Sequence, residues 1–201
     1  MTHDASETWP SQWIVDSWQG DFGFQFRPGE DTTVHDPEAA RRFRDTLGRF
    51  ATGVTVVTAL SDGTPVGLTC QSFSSVSLDP PLVLFCPART SRAWPLIERA
   101  GTFCVNLLAR DQVELSDAMA SRGVDKFEGV GWSPAPVTGA PLLDGVLGHV
   151  ECEVHAVHDG GDHHVVLGRV VGLATTDVTE PLLFAEGRYA GLDRDLSLIH
   201  I

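Results

Sequence analysis

The chain has 201 residues, of which 42% are hydrophobic, so it is long enough to bury one substantial core. Its 27 acidic and 14 basic side chains give a net charge of −13, which would repel the phosphate backbone of nucleic acid and an anionic membrane surface. The start lacks a secretory signal pattern and no apolar run approaches about 18 residues, so we expect a cytoplasmic protein that binds neither nucleic acid nor membrane.

Residues 1–35 differ from the rest of the chain and are interpreted as an aromatic-rich extension. They scatter aromatic side chains among polar residues without sustained periodicity: Trp9, Trp13, Trp18, Phe22, Phe24 and Phe26. Aromatic residues are favoured anchors at interfaces, so the extension is a candidate to cover a partner subunit, cap a ligand site or dock another protein. A poorly ordered terminus is the alternative.

A single domain over residues 36–192 is predicted to begin with a helix. Its first residues, Asp36-Pro37-Glu38, combine an N-cap, a first-turn proline and a first-turn acid. Apolar residues follow at spacings of four and three: Phe43, Leu47 and Phe50. This pattern predicts an amphipathic helix of about 13 residues that ends near Gly53.

Strand patterns dominate the remainder of the domain. β-rich runs are predicted at 54–60, 65–70, 82–86, 102–108, 146–157 and 163–174, with short helices at 91–99 and 112–120. The turn signal Ser61-Asp62-Gly63-Thr64 predicts a hairpin between the first two strands. Many strands with few helices favour a β-barrel with peripheral helices over alternating βαβ units. Residues 193–201 form a tail without an interpretable pattern.

The segment from Gly67 to Pro81 crowds hydroxyl groups between two apolar strands. Such a segment is costly to bury without partners, so it faces solvent or contacts a polar ligand, and composition alone favours solvent. The chain has no Gly-x-Gly-x-x-Gly loop and no Walker-type lysine loop, so any nucleotide must be held by another device.

Successive motifs of the chain resemble those of the flavin reductase family, the small partners of two-component flavin-dependent monooxygenases. They lie at 53–58, 67–81, 103–108, 125–127, 161–163, 168–170, 181–184 and 187–189. The resemblance, over about residues 43–192, implies a mainly β fold, a six-stranded antiparallel split barrel of Greek-key type, and a homodimer with flavin near the subunit interface. It also implies reduction of FMN or FAD by NADH or NADPH, and supply of the reduced flavin to a monooxygenase.

The resemblance assigns a flavin site by position. Residues 69–75 are expected against the ring and ribityl chain, through Thr69, Cys70, Gln71, Ser72, Ser74 and Ser75. Ser91 and Arg92, beside free backbone amides at a predicted helix start, are expected to bind the phosphate. Ser91 is equally suited to cap that helix, and the two roles are compatible.

Four further residues carry expectations with alternatives. Asn106 would meet the flavin or cap a turn, and Lys126 would lie near the flavin or pair with Asp125 on the surface. Arg188 is expected near the nucleotide, whereas Tyr189 is expected to pack. His163, which follows a Gly-rich connection, is the one residue assigned to the catalytic step, through a hydrogen bond to the incoming nicotinamide nucleotide. The solvated first residue of a strand is its alternative.

One predicted strand carries four side chains that could bind a metal ion. Strand alternation places His149, Glu151, Glu153 and His155 on one face. Same-face neighbours on a strand lie about 7 Å apart, too far to converge on one ion without other ligands. We therefore expect a solvated or interface-facing polar row and no metal.

No nucleophile with a partnered base is evident, in keeping with chemistry that the flavin and nicotinamide themselves carry. The cysteines Cys70, Cys86, Cys104 and Cys152 lie far apart in or beside apolar runs, which predicts buried free thiols. Two other functions remain open at this point: a flavin-dependent oxidase or oxygenase of the same fold acting on a small substrate, and a protein that binds flavin or haem without turnover.

Overall fold

The structure, a computed structural model, describes residues 37–121 and 125–192. The expected aromatic extension at 1–35, the Asp36 cap and the tail at 193–201 lie outside the described residues. Within the described ranges, no helix is long and apolar enough to cross a membrane.

The described part of the chain contains three helices and twelve strands. The helices are α1 (Pro37–Leu47), α2 (Trp94–Ala100) and α3 (Val113–Ala120). The strands are β1 (Thr52–Gly53), β2 (Thr55–Ser61), β3 (Thr64–Cys70), β4 (Ser74–Leu78), β5 (Pro81–Phe85), β6 (Thr102–Leu107), β7 (Trp132–Pro134), β8 (Pro141–Leu143), β9 (Gly148–Gly160), β10 (His163–Thr175), β11 (Leu183–Ala185) and β12 (Arg188–Ala190). The expectation of a mainly β fold with peripheral helices is confirmed.

The principal sheet is antiparallel and has the strand order β3-β2-β6-β9-β10-β5-β4. It contains seven strands, one more than the six expected, because the hydroxyl-rich segment supplies the short edge strand β4. The predicted hairpin between β2 and β3 is confirmed, with Asp62 and Gly63 at φ of 50° and 78°. Both values suit the two-residue turns that match the twist of antiparallel strands.

The two edge strands of this sheet, β3 and β4, are consecutive in the chain and are joined by a short connection. β3 pairs only with β2 and β4 only with β5 among the described strands, and residues 71–73 join β3 to β4. Ser72 Oγ fixes this connection by accepting a hydrogen bond from the Cys86 N–H at 2.8 Å. The sheet therefore curls, and the free edge of β3 borders an opening rather than another strand.

Two apolar clusters fill the interior. In the first, Phe85 packs edge-on against Trp94 of α2 and against Phe103, with ring centroids 5.8 Å and 5.3 Å apart. In the second, Met119 of α3 packs with Phe127 and Leu143. Both α2 and α3 thereby pack buried side chains against the sheet, whereas no residue of α1 belongs to either cluster.

Helix α1 ends at Leu47, earlier than the predicted end near Gly53. The Gly48 N–H makes the last helical hydrogen bond, to the Arg44 carbonyl at 2.7 Å. Residues 52 and 53 form β1 instead and pair with β11 in a small three-stranded sheet of order β1-β11-β12. The apolar face of α1 stays largely open to solvent, with Phe43 66% exposed and Leu47 55% exposed.

The polar row on β9, predicted to be solvated or interface-facing, is solvated only in its second half, where Glu153 is half-buried and His155 is exposed. His149 and Glu151 are buried, at 8% and 1% exposure. Glu151 Oε2 accepts hydrogen bonds from the Val137 and Thr138 N–H groups and from the Thr138 hydroxyl. No local sequence pattern indicated these bonds, because the donors lie in the connection between β7 and β8, within a Pro/Gly-rich passage. The described residues contain no group of three metal-ligating side chains.

Candidate active site

A cavity of about 1470 Å³ lies along the free edge of β3. One part of its lining, which we call the first wall, consists of residues 65–72, residues 116, 117, 119 and 120 of α3 and residues 125–127, with Tyr189 of β12. A second part, which we call the second wall, consists of residues 86–88 and 90–93 with His163 of β10. Pockets for drug-sized ligands occupy about 300–1,000 Å³, so this cavity is large enough for more than one ring system.

The edge of β3 offers the cavity its backbone groups. An edge strand pairs on one side only, so some of its N–H and C=O groups face away from the sheet. The Gly67 carbonyl is one such group, and it accepts a hydrogen bond from Lys126 Nζ at 3.2 Å. A Cβ at Gly67 would lie 3.1 Å from Met119 Sδ, so a larger residue there would require this side chain to shift by a few tenths of an ångström. The sequence thus lets α3 approach this edge closely.

The Thr69 and Ser72 hydroxyls are already engaged within the protein. Thr69 Oγ1 donates to the Ser116 carbonyl at 2.6 Å. Ser72 Oγ lies 3.1 Å from Cys70 Sγ and accepts from the Cys86 N–H. Thr69 Oγ1 keeps acceptor capacity but has no spare proton while its bond lasts, whereas either atom can be the donor in the Ser72–Cys70 contact. Burial raises the pKa of the Cys70 thiol, so this sulfur is a neutral part of the wall.

Lys126 points into the cavity wall instead of pairing with Asp125. Its Nζ donates to the Met119 carbonyl at 2.6 Å as well as to Gly67. Asp125 accepts a hydrogen bond from the Phe127 N–H at 3.0 Å. Partial burial lowers the pKa of Lys126 below its ordinary value of 10.5. A cation held this way has one remaining donor for a ligand.

Arg89 joins the second wall, residues 86–88 and 90–93, to the β9–β10 turn. Its guanidinium donates to the Gly161 carbonyl at 2.6 Å and pairs with Asp159 at 2.8 Å. The Arg89 N–H also donates to the Asp162 carbonyl at 2.9 Å. These bonds hold the start of β10, and therefore His163, at the cavity.

His163 is a half-exposed imidazole at the cavity. Its Nδ1 lies 2.7 Å from Asp162 Oδ1, and this hydrogen bond lowers the pKa of the Asp162 carboxyl. An imidazole that bonds through Nδ1 presents Nε2 as its remaining hydrogen-bonding atom. The next residue, His164, does not line the cavity and has its ring 6.1 Å from that of Trp94.

Ser91 and Arg92 lie side by side on the second wall. Ser91 Oγ accepts from the Trp94 N–H at 3.2 Å, but the N-cap residue of α2 is Ala93 and not Ser91, because the helix begins at Trp94. Arg92 is exposed, lines the cavity and forms no ion pair with another described residue. Its guanidinium is therefore open to an anionic ligand.

The cavity gathers eight of the twelve residues predicted for the site: Thr69, Cys70, Gln71, Ser72, Ser91, Arg92, Lys126 and His163. Asn106 is instead fully buried, where it donates to the Val56 carbonyl and accepts from the Leu143 N–H. Its amide holds β8 against the sheet, because those partners meet it from across the fold. Ser74 lines a second cavity of about 670 Å³, Ser75 lines neither of these two cavities, and Arg188 is exposed beside the lining residues Gly187 and Tyr189.

Several lining residues were not singled out by the sequence. Asp117 and Ser116 come from α3, and Phe43 and Leu47 come from α1. Tyr189, expected only to pack, lines the cavity and bonds to Asp117, while its ring lies 5.3 Å from that of Phe184. The polar pair Ser116-Asp117 within a short apolar helix was the available signal. It could not be assigned to the site without knowing which side of α3 faces β3.

Comparisons with known proteins agree with the geometry. The family model "Flavin reductase like domain" matches residues 47–193. The reductase subunit HsaB of a flavin-dependent monooxygenase from Rhodococcus jostii is 52% identical over 167 residues, which is 83% of this chain and 85% of that protein. An NADH-dependent FAD reductase of Streptomyces globisporus is 38% identical over 158 residues, 77% of this chain and 86% of that protein.

Two solved structures show the same fold. Nitrilotriacetate monooxygenase component B from Mycobacterium thermoresistibile has a TM-score of 0.79 and 48% identity, covering 82% of this chain and 92% of that chain. An NADH:FAD oxidoreductase of Streptomyces globisporus, solved with NAD and FAD fragments, has a TM-score of 0.75 and 37% identity, covering 80% and 97%. The split-barrel expectation is therefore confirmed.

Proposed function

Because this chain belongs to the family of the flavin reductase like domain, we propose that its β3-edge cavity is where a reduced nicotinamide nucleotide passes a hydride to FMN or FAD. The chain is an NAD(P)H-dependent flavin reductase, and the reduced flavin supplies a partner monooxygenase. The observation that carries the proposal is the convergence of the predicted flavin and nicotinamide residues, from distant parts of the chain, on one cavity.

The lining of the cavity fits a flavin. An isoalloxazine needs hydrogen-bonding groups along its pyrimidine edge and an apolar wall elsewhere. The β3 edge offers the former, through its backbone groups and the acceptor capacity of Thr69 Oγ1. Leu68, Met119 and Phe127 offer the latter. Arg92 offers an unpaired guanidinium for a phosphate.

The flavin and the nicotinamide supply the electronic chemistry when bound, so the protein has to align them and exclude competing reactions. In this proposal the β3 edge and Lys126 orient the flavin, while Ser91 and Arg92 hold its phosphate. His163 donates a hydrogen bond from Nε2 to the nicotinamide nucleotide. Asp162 keeps the imidazole oriented through Nδ1.

The proposal includes assembly and location. A homodimer is supported by exposed apolar side chains outside the cavity lining, among them Leu78 and Leu173, 94% and 68% exposed, which a second subunit would cover. A cytoplasmic location is supported by the four cysteines, all of which are free thiols, as is usual in a reducing compartment.

An anaerobic absorbance titration tests the activity. The protein is mixed with FMN or FAD and then with NADH or NADPH, and the colour of the oxidised flavin is followed. We expect bleaching that depends on both flavin and nucleotide. Flavin binding without bleaching would instead indicate a binding protein. Oxidation of an amine or alcohol with peroxide release, and no use of nicotinamide, would indicate an oxidase.

A further inference from the structure

We propose that α1 and the turn after it form a basic entrance that attracts the phosphate groups of the nucleotide ligands towards the cavity. This inference rests on the proposed function and concerns how its ligands arrive. The ligand chemistry is a phosphate or pyrophosphate, which FMN, FAD and the nicotinamide dinucleotides share. We call residues 37–50 the basic entrance.

The basic entrance has the opposite charge to the rest of the protein. It carries four arginines, Arg41, Arg42, Arg44 and Arg49, and only two acids, Glu38 and Asp45, in a chain with a net charge of −13. All four arginines are exposed. Arg42 pairs with Glu38 at 2.9 Å, whereas the other three form no ion pair with a described residue. Positive charge is therefore available to an approaching anion.

The same helix borders the cavity. Phe43 and Leu47 are among the lining residues and lie on one side of α1. Arg42 and Arg44 are adjacent to Phe43, so each is turned about 100° from it around the helix axis. A helix with its side chains is about 10–12 Å across, and electrostatic fields at physiological salt extend about 8 Å. The charges of Arg42 and Arg44, which are about a quarter-turn from Phe43, therefore lie within about one screening length of the side of the helix that faces the cavity.

An acidic surface repels nucleotides, so a local positive field has a clear effect on their approach. Two acids, Asp117 and Asp125, line the cavity itself and would oppose entry of a phosphate. Charged patches beside a cleft raise association rates by about 10- to 1,000-fold, and the gain falls steeply with ionic strength. The cations Arg92 and Lys126 belong to the cavity lining and would attract a phosphate that has entered.

The test compares FMN with riboflavin, which has the same ring but no phosphate. Association of each flavin with the full-length protein is followed by stopped-flow flavin fluorescence at several ionic strengths. In the double variant Arg42→Gln/Arg44→Gln we expect the FMN rate to fall at least about 3-fold at low salt, with a weaker salt dependence. The riboflavin rate should stay unchanged. Steady-state kcat/KM for NADH, measured at saturating flavin, gives the nucleotide arm.

The matched control is Arg99→Gln/Arg169→Gln, which removes two positive charges from residues outside the cavity lining. This control should leave both flavin rates unchanged. A fall for FMN alone assigns the entrance to the flavin phosphate, and a fall for NADH alone assigns it to the dinucleotide. Unchanged rates for both ligands, equal losses for FMN and riboflavin, or an equal effect in the control would overturn the inference. Wild-type protein that binds neither flavin would instead remove the proposed function, and this inference with it.

Discussion

The hydroxyl of Tyr189 on β12 donates a hydrogen bond to Asp117 on α3, with 2.6 Å between the two oxygen atoms. It also lies 3.0 Å from Ser116 Oγ, and the Ser116 carbonyl accepts from Thr69 Oγ1 at 2.6 Å. These contacts join β12, α3 and β3 around the cavity. The small sheet is thus tied to the strand edge that is proposed to hold the flavin.

Tyr189 should titrate above its ordinary pKa. Burial and the hydrogen bond with Asp117 both raise the pKa of this phenol from 10.0. Since the chain contains one tyrosine, an alkaline absorbance titration follows this group alone. We expect a midpoint above 10 in the wild type and a lower one in Asp117→Asn, because the carboxylate no longer disfavours the phenolate. A wild-type midpoint at or below 10 would contradict the contact.

Replacing the imidazole by His163→Ala should weaken use of the nicotinamide nucleotide. Loss of one hydrogen bond of about 1 kcal/mol predicts a rise in the apparent KM for NADH of about 5-fold. The apparent KM for flavin should not change. His155→Ala, an exposed histidine outside the cavity lining, is the control for steady-state kinetics. If both variants behave alike, His163 has no role in nucleotide binding.

Cys86 should be the thiol that reports occupancy of the cavity. It is half-buried and lines the cavity, whereas Cys104 and Cys152 are fully buried, and burial raises the pKa of each to about 12. We expect one fast-reacting thiol per native chain with an aromatic disulfide reagent, and none in Cys86→Ser. Saturating FMN should slow the reaction. A rate that FMN leaves unaltered would place the flavin elsewhere.

Lys126 should make FMN binding depend on pH below the ordinary lysine range. Burial lowers its pKa from 10.5, so its charge is lost at a lower pH than that of an exposed lysine. We expect FMN affinity to decline over that range in the wild type but to stay level in Lys126→Arg, whose guanidinium remains charged. Fluorescence titrations measure both. Lys126→Met should bind FMN weakly at every pH, and wild-type affinity in this variant would refute a role for the cation.

Glu151 should contribute stability that is lost in acid. Burial raises the pKa of its carboxyl, but hydrogen bonds from Thr138 and Val137, together with His149, lower it to a net value below 4.5. Because the folded-state pKa is depressed, the contribution is complete above about 4.5 and disappears as the pH falls through the folded-state value. Glu151→Gln should cost about 2 kcal/mol at neutral pH.

Urea unfolding at neutral pH and below 4.5 measures this contribution. The difference between the wild type and Glu151→Gln should shrink in acid. Glu153→Gln serves as the comparison, because Glu153 is less buried and pairs with Arg169. A constant difference at all pH values would show that the charge of Glu151 is not what stabilises the β7–β8 hairpin.

Local patterns in the sequence were sufficient for many of these features. The dipeptide Asp62-Gly63 predicted the β2–β3 hairpin, since a two-residue turn with both residues at positive φ favours these residue types whatever surrounds them. The helix start at Pro37 and the unpaired cysteines likewise follow from short-range chemistry. The order of the motifs indicated the family, and with it the segments 69–72 and 91–92 that line the cavity.

Tertiary structure alone decided which polar side chains face the cavity and which face the core. Asn106 and Thr69 both lie on strands. The Asn106 amide is buried and hydrogen-bonded to Val56 and Leu143, whereas Thr69 lies on the edge strand β3, which has no further described strand beside it. Tyr189 reaches Asp117 across 72 positions of sequence. A sequence pattern fixes which faces of a strand alternate, but the partners that satisfy a buried polar group come from distant segments, and only the packed chain brings them together.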